Sequence, residues 1–124
     1  MRLLLDSHAF LWWAEADPLV SSAAHSVIAD PANDVLISIA ALWELMIKAS
    51  SGKLALPDDI ETMVVSQGFS VLSISFGHLH RFSALPWHHK DPFDRMMIAQ
   101  SLADGLPIAT ADRRFAAYGV QIVW

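Results

Sequence analysis

RLLLDSHAFLWWA, residues 2–14, runs from a short apolar stretch through an acid into an apolar, aromatic-rich segment. Arg2–Leu5 reads as a strand with no period-2 alternation, the signature of a strand buried on both faces. A helix is expected over Ala9–Ala16, and Asp6 stands at the junction, where an aspartate can cap a helix start near His8. The same strand-then-helix figure recurs along the chain. Strands are predicted at Val35–Ile39, Phe69–Ile74, Pro107–Thr110 and Val120–Trp124. Helices are predicted at Ser21–Asp30, Ala40–Ser51, Asp58–Gln67, Gly77–Ala84 and Pro92–Asp104. Gly52, Gly68 and Gly105 stand as stops just after three of them, and Asp17-Pro18 and Pro57-Asp58-Asp59 read as turns. Strands alternating with helices predict an α/β fold, a parallel sheet of about five strands with helices on both faces.

The 124 residues suit one domain, spanning 1–124. Hydrophobic residues make up 54% and charged residues 17%, more apolar surface than such a chain can hide, which implies a partner or a homo-oligomer. The longest apolar run, VLISIAALW (35–43), ends at Glu44 and is too short to span a membrane. Asp6 interrupts the N-terminal run too early for a secretory signal, so a soluble protein is expected. The absence of cysteine excludes disulfides, thiolate nucleophiles and cysteine zinc sites, and fits a cytoplasmic location. A net charge of −5 argues against nucleic acid unless the acids gather to bind divalent cations, which reverse the local field.

The acids do gather. Parallel α/β sheets bind ligands outside the carboxyl ends of their strands, where the following helices begin. Asp6 ends the first strand, Asp112 follows the fourth, Glu44 lies just over a turn into the third helix, and Asp94 lies in the first turn of the last long helix. Each has an ordinary alternative. Asp6 and Asp112 could cap short helices, the latter over Arg113–Ala117; Glu44 could pair with Lys48; and in HHKDPFDRMMIAQ (88–100) Asp91 and Asp94 both suit a helix start. Four separate local roles at one sheet edge are less economical than one acidic site. A carboxylate cluster without cysteine suits hard cations such as Mg²⁺ or Mn²⁺, and the chemistry it supports is metal-assisted attack of water on a phosphodiester.

Four segments, LLLDSHAFLWW (3–13), SIAALWELMIKASSGKL (38–54), HKDPFDRMMIAQSLADGLP (89–107) and ATADRRF (109–115), together resemble the PIN domains, and within them the VapC-type ribonuclease toxins of prokaryotic toxin–antitoxin pairs. The order and spacing of D-S-H-x-x-L-W, L-W-E-x-x-I-K, D-P-F-D-R-x-x-I-A-Q and T-x-D carry the likeness. It implies a Mg²⁺- or Mn²⁺-dependent endoribonuclease, often dimeric, inhibited by an antitoxin seated near the site. It also implies that Asp6, Glu44, Asp94 and Asp112 are the catalytic metal-binding acids, while Asp91 starts the helix.

Around these acids, Ser7 and Thr110 could orient water or a carboxylate, and Arg95 and Arg113, with Arg114, could meet RNA phosphates. Lys48 and Lys53 offer a further rim. His8 and His89 lie nearby, although lone histidines are more often structural. Trp12 and Trp13 with Phe10 and Leu11 suit a partner surface or core; Trp43, Met96 and Met97 read as core. Two other functions stay open. One is a phosphatase-like hydrolase with Asp6 as nucleophile, although His8 stands where that class wants a second acid. The other is a non-catalytic module that docks a partner through Trp12 and Trp13.

Overall fold

The computed structural model describes residues 1–57 and 59–124. Its elements run β1 (Arg2–Leu5), α1 (Ser7–Ala14), α2 (Ser22–Ala29), β2 (Asp34–Ser38), α3 (Ile39–Ser50), α4 (Ile60–Ser66), β3 (Ser70–Leu72), α5 (Phe76–Ser83), α6 (Pro92–Asp104), β4 (Ile108–Ala109), a 3₁₀ segment (Arg113–Tyr118) and β5 (Ile122–Val123). The five strands are all parallel, in the order β3-β2-β1-β4-β5. Chain order reverses at β1 and β4, and crossovers of the right hand that parallel strands favour put connecting helices on both faces of such a sheet. The expected α/β architecture is the one that forms.

Element limits move for local reasons. α1 begins two residues earlier than expected because Asp6 itself caps it, accepting from the Ala9 N–H at 2.8 Å. Strands β3, β4 and β5 shrink to the residues that find a ladder partner, so Phe69, Ile74, Pro107 and Thr110 fall outside them. Asp59 caps α4, and the expected start at Asp58 lies outside the described residues. α6 has the predicted limits, from Pro92 at its first turn to Gly105, whose φ of 66° is the left-handed stop that glycine adopts freely.

The core explains why the strands show no alternation. Leu3, Leu4, Leu5, Ile37, Ile108 and Ala109 are all fully buried. α6 is buried on every side from Arg95 to Ser101, so Met96 and Met97 are packing residues, as read from the sequence. Trp43 is a correction. It stands on the outer side of α3, 58% exposed and edge-on to Phe93 at 5.1 Å, because α3 turns Leu42, Glu44 and Leu45 inward instead. Trp12 and Trp13 are half-covered by the chain itself: Trp12 packs on Trp124, and Trp13 packs on Phe69 and His25 and donates to Gln67 Oε1 at 3.2 Å. Among the described residues no helix is long and apolar enough to cross a membrane.

Candidate metal centre

The parallel registers carry the acids to one place. Leu5 pairs with Ala109, so Asp6 and Thr110 leave adjacent strands side by side, and the Asp6 N–H donates to Ala109 O at 3.2 Å. Leu5 also pairs with Ile37, which sets Ser38 at the same edge to cap α3 and places Glu44 a turn further on. Asp91 caps α6 by accepting the Asp94 N–H at 2.9 Å, which holds Asp94 in the first turn. Asp6, Glu44, Asp94 and Asp112 all line one cavity of about 660 Å³, along with Asp91, His8, His88, His89, Lys48 and Arg114.

Three of the four acids are held by neighbours. Asp6 is 4% exposed; its Oδ1 accepts from Ala9 and its Oδ2 from the Thr110 hydroxyl. Glu44 is 8% exposed, and its Oε1 accepts from Ser7 Oγ at 2.7 Å while Lys48 Nζ lies 3.5 Å from Oε2. Asp112 is chelated by Arg114, whose Nε and terminal nitrogen reach both oxygens at 2.7–3.1 Å. Ser7 and Thr110 therefore orient carboxylates; neither lines the cavity. Such partners fix ligand geometry, so Thr110→Val and Ser7→Ala are each expected to weaken Mn²⁺ binding by about 10- to 100-fold while the fold is retained, read by calorimetric titration beside circular dichroism.

Charge sets the proton affinities. Burial raises the pKa of Asp6 above the usual carboxylate range. Asp94 is pushed up to about 7, first by burial and then by repulsion from Asp91, Glu44, Asp6 and Asp112. Asp112 is lowered, chiefly by its hydrogen bonds from Arg114. The cluster is short of positive charge at Asp94, and a divalent ion would relieve that shortage.

His89 is the residue that sequence reasoning undervalued. It is buried, with Nε2 3.0 Å from Asp94 Oδ2 and 3.6 Å from Asp112 Oδ2, yet aligned for a hydrogen bond with neither. These three side chains lie close enough together to share an ion. The tautomer decides what His89 can do. Its Nδ1 accepts the Asp91 N–H at 3.1 Å, so the ring proton sits on Nε2, beside the two carboxylates without a hydrogen bond to either. The lone pair that a metal needs is thus already used at Nδ1. The donors left for an ion are carboxylate oxygens, a set that fits Mg²⁺ or Mn²⁺. The sequence places His89 near the acids, but only a fold that brings residue 89 against residue 112 could reveal this contact.

Arg95 corrects a second expectation. It is 2% exposed and does not line the cavity. Its Nη1 donates to Pro86 O at 2.8 Å, to the Tyr118 hydroxyl at 3.1 Å and to His89 O at 3.4 Å, and its guanidinium lies 3.9 Å from the centre of the Trp87 ring. Facing inward from α6, it pins the 85–89 segment that carries His89, and its remaining unpaired Nε is buried, out of reach of a phosphate in the cavity. Arg113 is exposed beyond the cavity lining, and it is Arg114 that reaches the acids.

A PIN domain sequence model matches residues 3–121, and the chain belongs to that family. No curated protein sequence matches it. Among solved structures, VapBC2 from Rickettsia felis, bound to a DNA fragment from its promoter, superposes with TM-score 0.70 at 14% identity, covering 98% of this chain and 97% of that one. VapBC-1 from nontypeable Haemophilus influenzae gives 0.66 at 15% identity, with 98% and 96% covered. VapBC-5 from Mycobacterium tuberculosis, of the VapBC family of toxin–antitoxin systems, gives 0.63 at 18% identity, with 98% and 97% covered. At these identities the likeness is one of fold.

Proposed function

We propose that this PIN domain protein is a Mg²⁺- or Mn²⁺-dependent endoribonuclease, the VapC-type toxin of a toxin–antitoxin pair, acting in the cytoplasm as a homodimer or higher homo-oligomer until a cognate antitoxin covers it. The observation that carries this reading is the convergence of Asp6, Glu44, Asp94 and Asp112, far apart in sequence, on one cavity at the switch point of the sheet. The similar folds described above were solved as VapBC proteins, which supports an antitoxin as partner. Asp6, Glu44, Asp94 and Asp112 would hold the ion, which when bound supplies a Lewis acid that activates water and neutralises phosphate charge.

The chain's own groups prepare that chemistry. Thr110 and the Ala9 N–H hold Asp6, Ser7 holds Glu44, and the Asp91 cap holds the backbone of Asp94. The Nε2–H of His89 faces Asp94 and Asp112 and opposes their mutual repulsion. Because Asp94 takes up a proton near pH 7, protons compete with the ion there, and loading strengthens as pH rises through that value. The Asp6-nucleophile alternative fares worse. Both Asp6 oxygens are engaged by Ala9 and Thr110, and the residue two positions on is His8. The docking-module reading loses support too, since Trp12 and Trp13 are half-covered by the chain itself.

The reading is tested by incubating the protein with a structured RNA and, separately, with a small phosphomonoester, in Mg²⁺, Mn²⁺ or EDTA. RNA cut only with metal and an untouched monoester are expected. Intact RNA at high protein concentration, or monoester hydrolysis, would overturn the assignment.

A further inference from the structure

Arg114 occupies an unusual position for an exposed cation. Its side chain is 67% exposed, yet the guanidinium is folded back on Asp112, with Nε 3.0 Å from Oδ1 and 3.1 Å from Oδ2, and its terminal nitrogen 2.7 Å from Oδ2. The backbone N–H of Arg114 also donates to Oδ1 at 3.0 Å. Both oxygens of Asp112 are therefore committed to one residue at the rim of the acidic cavity, which Arg114 also lines. Among the described residues Asp6, Glu44 and Asp94 have no such cation on both oxygens; Lys48 stands 3.5 Å from a single oxygen of Glu44. A guanidinium fork matches a carboxylate and a phosphodiester equally well, since both offer two oxygens in one plane.

We propose that Arg114 is a built-in counter-ion of the metal site: it holds Asp112 while the site lacks metal, yields that carboxylate to the incoming ion, and then contacts a phosphate of the RNA. The inference rests on the metal-site reading above and adds a sequence of events. In the metal-free protein the arginine is tied to the site, so its charge is spent internally and the acidic face repels RNA. Once the ion takes Asp112, the fork is released at the cavity mouth, where its long, exposed stem leaves it free to turn. One side chain thus opposes metal binding and favours RNA binding, and the second effect requires the metal. The neighbouring Arg113, also exposed but outside the cavity lining, supplies a control for charge alone.

The test compares wild type, Arg114→Ala and Arg113→Ala. Mn²⁺ affinity is measured by calorimetric titration, and binding of a fluorescent oligoribonucleotide by anisotropy in Ca²⁺ and in EDTA. Releasing a solvent-exposed ion pair predicts that Arg114→Ala binds Mn²⁺ about five-fold more tightly, with less than about two-fold change for Arg113→Ala. Arg114→Ala should bind the oligoribonucleotide about five-fold more weakly in Ca²⁺ and no differently from wild type in EDTA. Unchanged or weaker Mn²⁺ binding by Arg114→Ala, or equal gains in both variants, would overturn the counter-ion role. Unchanged RNA affinity in Ca²⁺ would overturn the phosphate contact. Failure of wild type and both variants to bind Mn²⁺ would instead overturn the metal-site reading beneath it.

Discussion

Asp94→Asn is expected to reduce the proposed ribonuclease activity about 10³-fold and, in metal-free buffer at pH 8, to raise the melting temperature. The two effects come from the same electrostatics. Asp94 sits among Asp91, Glu44, Asp6 and Asp112 and is pushed up to about 7, so its charged form is poorly tolerated in the folded chain. An unfolded aspartate titrates near ~3.9. Between these values the folded state holds a proton that the unfolded state has released. The folded chain is therefore favoured most below ~3.9, and that advantage is lost as pH rises toward 7. Each pH unit in this window costs ~1.4 kcal/mol, which sums to a few kcal/mol. Asparagine carries no charge, so the variant should show a flatter stability profile across pH 4–7 in EDTA. The same exchange removes one of the carboxylates proposed to hold the ion. A bound ion contributes several kcal/mol to such reactions, so cleavage should fall by about 10³-fold. Stabilisation by added Mn²⁺ should vanish with it. Retention of either activity or Mn²⁺ stabilisation, or an unchanged pH profile, would remove Asp94 from the centre.

Arg95→Ala is expected to lower the melting temperature by about 10 °C and to loosen the proposed metal site without touching an acid. Arg95 is a buried cation with no carboxylate partner among the described residues. It is held by the carbonyls of Pro86 and His89, the Tyr118 hydroxyl and the face of Trp87. Truncation leaves those acceptors unsatisfied, at ~1–3 kcal/mol, and opens a cavity beside α6 that adds a comparable loss. A total near ~3 kcal/mol corresponds to the stated shift for a chain of this size. The 85–89 segment would then lose its anchor, and His89 with it, so Mn²⁺ affinity should fall too. Arg95→Lys should recover only part of this loss, because an ammonium cannot span the carbonyls and lie flat on an indole at once. Thermal melts with and without Mn²⁺ decide the matter: Arg95→Ala melting within about 2 °C of wild type would show that the clamp contributes little.

Arg95 also shows where sequence reasoning lost its way. Next to Asp94 and one turn into a helix, it reads as a surface arginine bordering an acidic site. Facing is a property of packing, and α6 is enclosed on every side from Arg95 to Ser101. Trp43 errs in the opposite sense, since an apolar residue in an apolar helix reads as core, while α3 uses Leu42 and Leu45 for that purpose and leaves Trp43 outside. The strand limits failed for a related reason. A run such as Phe69–Ile74 records β preference, but only Ser70–Leu72 meets a neighbour in β2.

What the chain determines on its own account is local and periodic. Unalternating apolar runs demand burial on both faces, caps and glycine stops mark helices, and an acid at a strand's end must fall at the sheet edge that binds ligands. Those rules sufficed for the α/β class, the parallel sheet and the common edge of Asp6, Glu44, Asp94 and Asp112. The tertiary structure alone decided that Thr110 steadies Asp6, that His89 turns a donor toward Asp94 and Asp112, and that Arg114 rather than Arg113 grips Asp112. Partnerships between residues distant in sequence depend on register and on which way each side chain turns, and no local pattern encodes either.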